Sequence, residues 1–81
     1  MSQNIGKVVE IIGPVVDIQF SQNNLPDLLT AIEIERPNEE NLIVEVEQDI
    51  GADRVRCIAM GSTDGLVRGM DACLLYTSDA A

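Results

Sequence analysis

The sequence contains no histidine and no tryptophan, and it has only one phenylalanine, one tyrosine and two cysteines. Without histidine, zinc sites of the usual Cys/His kind are excluded. Cys57 and Cys73 lie far apart and form no C-x-x-C motif, and the N-terminus shows no export signal, so we expect no disulfide between them. With so few aromatic residues, any core must be built from Val, Ile, Leu and Ala.

Positive charge is also scarce. Five Lys and Arg stand against fourteen Asp and Glu, which gives a net charge of −9. Nucleic acids and anionic membranes carry dense negative charge and repel such a chain. No apolar stretch approaches the roughly 20 residues that a membrane-spanning helix needs. The composition therefore predicts no nucleic-acid partner and no direct membrane insertion.

What the chain does contain is alternating apolar and polar residues, broken by turn signals. Its 81 residues leave room for one small domain. The pattern predicts five strands, at residues 5–12, 15–20, 31–35, 42–47 and 54–60. Short strands at this spacing, joined by tight turns, are typical of a small antiparallel β-barrel or sandwich. The predicted fold class is all-β.

The stretch GSTDGLVRG, residues 61–69, raises the question of a phosphate-binding loop. A P-loop needs G-x-x-x-x-G-K-[ST], whose lysine neutralises the phosphates, and the only lysine of this chain is Lys7. Asp64-Gly65 is instead a strong turn signal, so we interpret the stretch as a bend. The Glu residues on the outer faces of the strands are interpreted as solvated surface. We assign no catalytic, cofactor-binding or metal-binding residue.

Three segments, taken in order, carry a resemblance to a known family: GKVVEIIGPVVDIQF, LPDLLTAIEIE and LIVEVEQDIGADRVRCIAMGSTDGLVRG. Together they resemble the N-terminal domain of the beta subunit of F-type ATP synthases, from about Ile5 to Asp71. Alpha subunits usually open with a G-D-G-I-A-R-type turn, where this chain has Gly-Pro-Val-Val-Asp at 13–17. The resemblance therefore favours beta over alpha.

The resemblance implies a six-stranded β-barrel and a structural role. Three alpha and three beta barrels alternate in a ring, or crown, that holds the catalytic hexamer together. The parent protein would be a proton-transporting two-sector ATPase, a peripheral complex on the cytoplasmic face of an energy-transducing membrane, in which ATP synthesis or hydrolysis is coupled to ion transport. ATP or ADP and magnesium would bind in a domain outside this sequence. The fragment itself is then expected to be no enzyme and to bind no cofactor, with alpha subunits as its partners.

The end of the chain departs from the family pattern. After Ala72 the sequence reads CLLYTSDAA, without the family's last strand. We therefore expect a barrel domain over residues 1–72 and a non-native tail over residues 73–81, such as a read-through scar or an assembly error. On this interpretation the barrel is truncated, with about five of the family's six strands. The alternative is a short paralogue with a swapped last strand.

Two other functions stay open at this point. The N-terminal barrels of related hexameric ATPases, of the export or vacuolar kind, are similar to this one. A stand-alone small-barrel binding module is the second alternative. An oligonucleotide ligand is disfavoured for such a module, because the chain has neither a cationic groove nor aromatic stacking residues.

Overall fold

Six strands form a closed antiparallel barrel in the computed structural model, which describes residues 5–21, 25–37 and 39–74. Around the barrel the strands follow the order β1-β2-β5-β4-β3-β6. Their bounds are Ile5–Ile12 for β1, Val15–Gln19 for β2, Ala31–Ile34 for β3, Leu42–Gly51 for β4, Arg54–Ala59 for β5 and Asp71–Leu74 for β6. The predicted all-β antiparallel barrel is confirmed.

The core is aliphatic, as the scarcity of aromatic residues predicts. Alternate residues of the strands point inward, because successive side chains of a strand lie on opposite faces. The side chains with no exposed surface are Val16, Ile18, Ile32, Ile34, Val44, Val46, Val55, Cys57 and Ala72. Phe20, which follows β2, is the one aromatic side chain of this cluster.

The expectation of a missing sixth strand is wrong. β6 (Asp71–Leu74) pairs with β1 on one side and with β3 on the other, and so closes the barrel. Cys73 and Leu74 therefore belong to a strand, although we assigned them to the tail. Four residues suffice because backbone pairing on both edges holds β6, with Ala72 buried inside. Residues 75–81 lie outside the described residues, and the non-native origin of 73–81 stays a prediction.

The other strand bounds agree with the predicted ones to within one residue, except for β4. This strand continues to Gly51 rather than ending at residue 47, because two irregularities in its pairing with β5 interrupt the alternation. The two strands are joined through Ala52 and Asp53, whose φ angles are 57° and 63°. Positive φ at both central residues is the geometry of a type I′ hairpin turn.

Because neighbouring strands run antiparallel, the connections lie at two ends of the barrel, which we call the upper end and the lower end. The upper end carries the connections at residues 13–14, 35–41 and 60–70. The lower end carries the connections between β2 and β3 and between β4 and β5.

Candidate interaction surfaces

The glycine-rich stretch at 61–69 forms part of the upper end. The predicted turn at Asp64-Gly65 is confirmed, because Gly65 has a φ of 80° and the Leu66 amide donates a hydrogen bond to the Thr63 carbonyl at 3.1 Å. Leu66 then packs into the barrel core. The stretch thus returns the chain from β5 toward β6 and adds one side chain to the core.

Both hydroxyl groups of this stretch bond to the backbone of the barrel. The Ser62 hydroxyl accepts a hydrogen bond from the Asp64 amide at 3.1 Å, which tightens the turn locally. The Thr63 hydroxyl donates to the Gly13 carbonyl at 3.3 Å and so links two connections of the upper end. These contacts give the hydroxyl groups a structural role.

Arg36 holds the upper end together, and the sequence reasoning missed it. Its Nε donates to the Glu40 carbonyl at 2.8 Å, within the β3–β4 connection. Its Nη1 donates to the carbonyls of Ser62 and Asp64 at 2.9 and 2.7 Å. Two sequence features could have indicated this role: Arg36 is one of only five cationic residues in an acidic chain, and it precedes Pro37 in a turn.

An ion pair lies on the outer face of β2 and β5. Nε and Nη2 of Arg56 donate to the two carboxylate oxygens of Asp17, both at 3.0 Å. Although it lies on the outer face, Asp17 is only 5% exposed because the Arg56 side chain covers it. The hydrogen bond and the charge of Asp17 raise the pKa of Arg56. A two-point bond of this kind fixes the arginine plane on the barrel surface.

Outward-facing apolar side chains meet across β1, β2, β5 and β4 near the upper end. The register pairs Ile12 with Val15 and Val15 with Ile58, and the Met60 amide donates to the Ile43 carbonyl at 2.8 Å. Ile12 and Met60 are more than half exposed, and the other three are half-buried. We call these five residues the outer apolar patch. A contiguous exposed apolar patch indicates a protein contact.

The outer face of β4 is acidic. Glu45 and Glu47 project from the same side of the strand, and a side-chain hydrogen bond with Glu45 raises the pKa of Glu47. Within residues 5–21, 25–37 and 39–74, no group of three or more Cys, Asp or Glu side chains is placed to hold a metal ion. In the same ranges no helix is long and apolar enough to cross a membrane.

Most of the chain matches a known protein-family model. Residues 8–72 match the family model described as ATP synthase alpha/beta family, beta-barrel domain. The chain belongs to the ATP synthase alpha/beta family. The matched range begins inside β1 and ends inside β6, so it includes the Arg36 contacts and the whole outer apolar patch. Both features therefore lie within the part of the chain that defines an ATP synthase alpha/beta barrel.

Proposed function

We propose that this barrel is the N-terminal crown domain of a beta subunit of a proton-translocating F-type ATP synthase. In this role it holds an alternating ring of alpha and beta subunits together, and it performs no chemistry itself. The outer apolar patch is the observation that supports this role most directly, because it offers an apolar contact surface on a barrel whose interior is filled by side chains. The family match supports the same reading.

The beta assignment rests on the segment Gly13–Asp17. This segment reads Gly-Pro-Val-Val-Asp, whereas alpha subunits usually have a G-D-G-I-A-R-type turn at this place. In the barrel, Val15 contributes to the outer apolar patch and Asp17 binds Arg56. A different sequence here would change both the apolar surface and the ion pair, so the segment bears directly on which neighbour the barrel accepts.

The proposal places the nucleotide chemistry elsewhere in the parent protein. ATP or ADP and magnesium would bind in a domain outside this sequence, and the complex would be peripheral on the cytoplasmic face of an energy-transducing membrane. The crown would then keep neighbouring subunits in contact while their other domains change conformation. The 61–69 stretch would contribute to this scaffold through Arg36 and Leu66 rather than through phosphate binding.

Binding to an alpha subunit tests the proposal. In a titration followed by sedimentation velocity, we expect the chain to bind an alpha subunit of the same synthase. Met60→Lys should weaken this binding about tenfold or more, because it puts a charge into the apolar contact. Val67→Lys is the matched control, since Met60 and Val67 are both 57% exposed and only Met60 lies in the patch. Equal binding by the two variants would contradict the role of the patch.

A further inference from the structure

A strained turn with two exposed leucines lies at the lower end of the barrel. The turn spans Asp27 to Thr30, and the Thr30 amide donates to the Asp27 carbonyl at 3.3 Å. Its two central residues, Leu28 and Leu29, are 59% and 68% exposed. Leu29 has a φ of 68°, in the left-handed region that a leucine rarely adopts. We call Leu28 and Leu29 the leucine tip.

The free barrel gains little from the Leu29 side chain. A turn with positive φ at its third residue favours Gly or Asn there, because a Cβ atom is disfavoured in this conformation. The Leu29 amide donates to the Val46 carbonyl at 2.7 Å, and a glycine could donate the same bond. An apolar side chain that is both strained and exposed indicates a contact outside the chain.

The surroundings of the leucine tip define the chemistry of that contact. Asp27 is exposed within the turn itself. Val46, whose carbonyl accepts the bond from the Leu29 amide, lies between Glu45 and Glu47 along β4. An apolar tip among carboxylates complements an apolar pocket rimmed by Lys or Arg. A second copy of this chain is a poor partner, because each copy carries a net charge of −9.

We propose that the leucine tip inserts into an apolar pocket with a cationic rim on the neighbouring alpha subunit. This inference rests on the proposed function, because it takes its partner from the ring. It adds a second contact surface at the lower end, separate from the outer apolar patch near the upper end. A subunit in a ring of head-to-tail contacts needs two different surfaces, one for each neighbour.

The test compares stability and binding in the same variants. Leu29→Gly and Leu29→Asn remove the apolar side chain and suit the left-handed backbone, so both free chains should have a urea midpoint equal to or above that of the unmodified chain. The titration is made in the Met60→Lys background, where the outer apolar patch contributes little, and there both Leu29 substitutions should weaken binding to the alpha subunit at least about a further tenfold. Val67→Ser is the control for loss of an exposed apolar side chain outside both surfaces, and it should leave binding in that background unchanged.

The outcomes separate the two proposals. Loss of binding with unchanged or higher stability supports the leucine tip. If Met60→Lys alone binds weakly and neither Leu29 substitution weakens its binding further, the leucine tip is overturned and the crown role stands. A lower urea midpoint in Leu29→Gly overturns it as well, because the side chain would then serve the fold. If the unmodified chain does not bind the alpha subunit, the proposed function fails, and the leucine tip loses its partner with it.

Discussion

Three of the five cationic residues have specific acceptors in the barrel. Lys7 forms an ion pair with Asp71, and Arg56 covers Asp17. Arg36 uses its donors on backbone carbonyls rather than on carboxylates. Among the residues that the structure describes, the carboxylates that pair with these cations are Asp17 and Asp71, so most of the other described carboxylates have no ion-pair partner there. The negative charge on which the proposed contact with a cationic rim relies therefore depends on how individual side chains are paired.

Gly65 carries the conformational requirement of the upper turn. Its φ of 80° favours glycine, whereas Gly61 has no such angle. A Cβ atom would meet a neighbouring side-chain carbon at 3.6 Å at both positions, so the available space is matched. We expect Gly65→Ala to lower the free energy of unfolding by about 1–2 kcal/mol more than Gly61→Ala does, measured by urea denaturation. Equal effects of the two substitutions would show that φ at Gly65 is not the limiting feature.

The two thiols should differ sharply in reactivity. Burial raises the pKa of Cys57 to about 12, with smaller contributions from Asp17 and Glu47, whereas Cys73 is half-buried. At pH 8 the thiolate fraction of Cys57 is then about a thousandfold below that of an ordinary thiol. We expect a Cys73→Ser chain to react with a thiol reagent only upon unfolding, and a Cys57→Ala chain to react while folded.

The same pKa shift sets a pH dependence with a definite sign. Above about pH 9, the ordinary thiol value, the unfolded chain loses the Cys57 proton while the folded chain keeps it, so this contribution to stability falls as the pH rises toward 12. If the thiol reagent rapidly labelled the folded Cys73→Ser chain at pH 8, Cys57 would not be a buried, protonated thiol.

At the scale of the element, alternation was enough to predict β2 and β3. In β3, for example, Ile32 and Ile34 point inward with a glutamate between them, a period of two that no helix shares. β4 was predicted too short because its pairing with β5 is irregular after Val46. Where the pairing is irregular, inward and outward side chains no longer alternate, so the sequence shows no period of two there. β6 was missed because only Ala72 of its four residues is buried, which leaves no alternation to read.

The outer apolar patch also could not be predicted from the sequence. Alternation separated Ile58 and Met60 from the inward side of β5, but it did not say which strands lie beside them. Val15 is a neighbour of Ile58 only because β2 pairs with β5, although β3 and β4 lie between these two strands in the sequence. Arg36 was hidden for the same reason, since its acceptors Ser62 and Asp64 are distant in sequence. Both features depend on strand order, which local patterns do not contain.

At the scale of the whole molecule, closure decides whether the barrel exposes free strand edges. β6 removes the free edges of β1 and β3, which would otherwise offer unpaired amides and carbonyls to other chains. The barrel is also tightly packed between β1 and β2, where a Cβ atom on Gly6 would lie 2.7 Å from the Ile18 side chain and 2.9 Å from the Gln19 carbonyl. Lys7 adds an ion pair to Asp71 across the β1–β6 seam.

Cys73 pairs with Ile5 at the end of the β1–β6 ladder and with Glu33 in the middle of the β3–β6 ladder. Cys73→Pro should open the barrel, because proline cannot donate to a ladder and is poorly tolerated in a strand paired on both sides. We expect a loss of about 3 kcal/mol or more in the free energy of unfolding, together with concentration-dependent association in sedimentation velocity through the exposed edges. Cys73→Ser keeps the amide and should remain monomeric at nearly unchanged stability. If the proline variant were a monomer with the melting temperature of the serine variant, β6 would not be what closes this barrel.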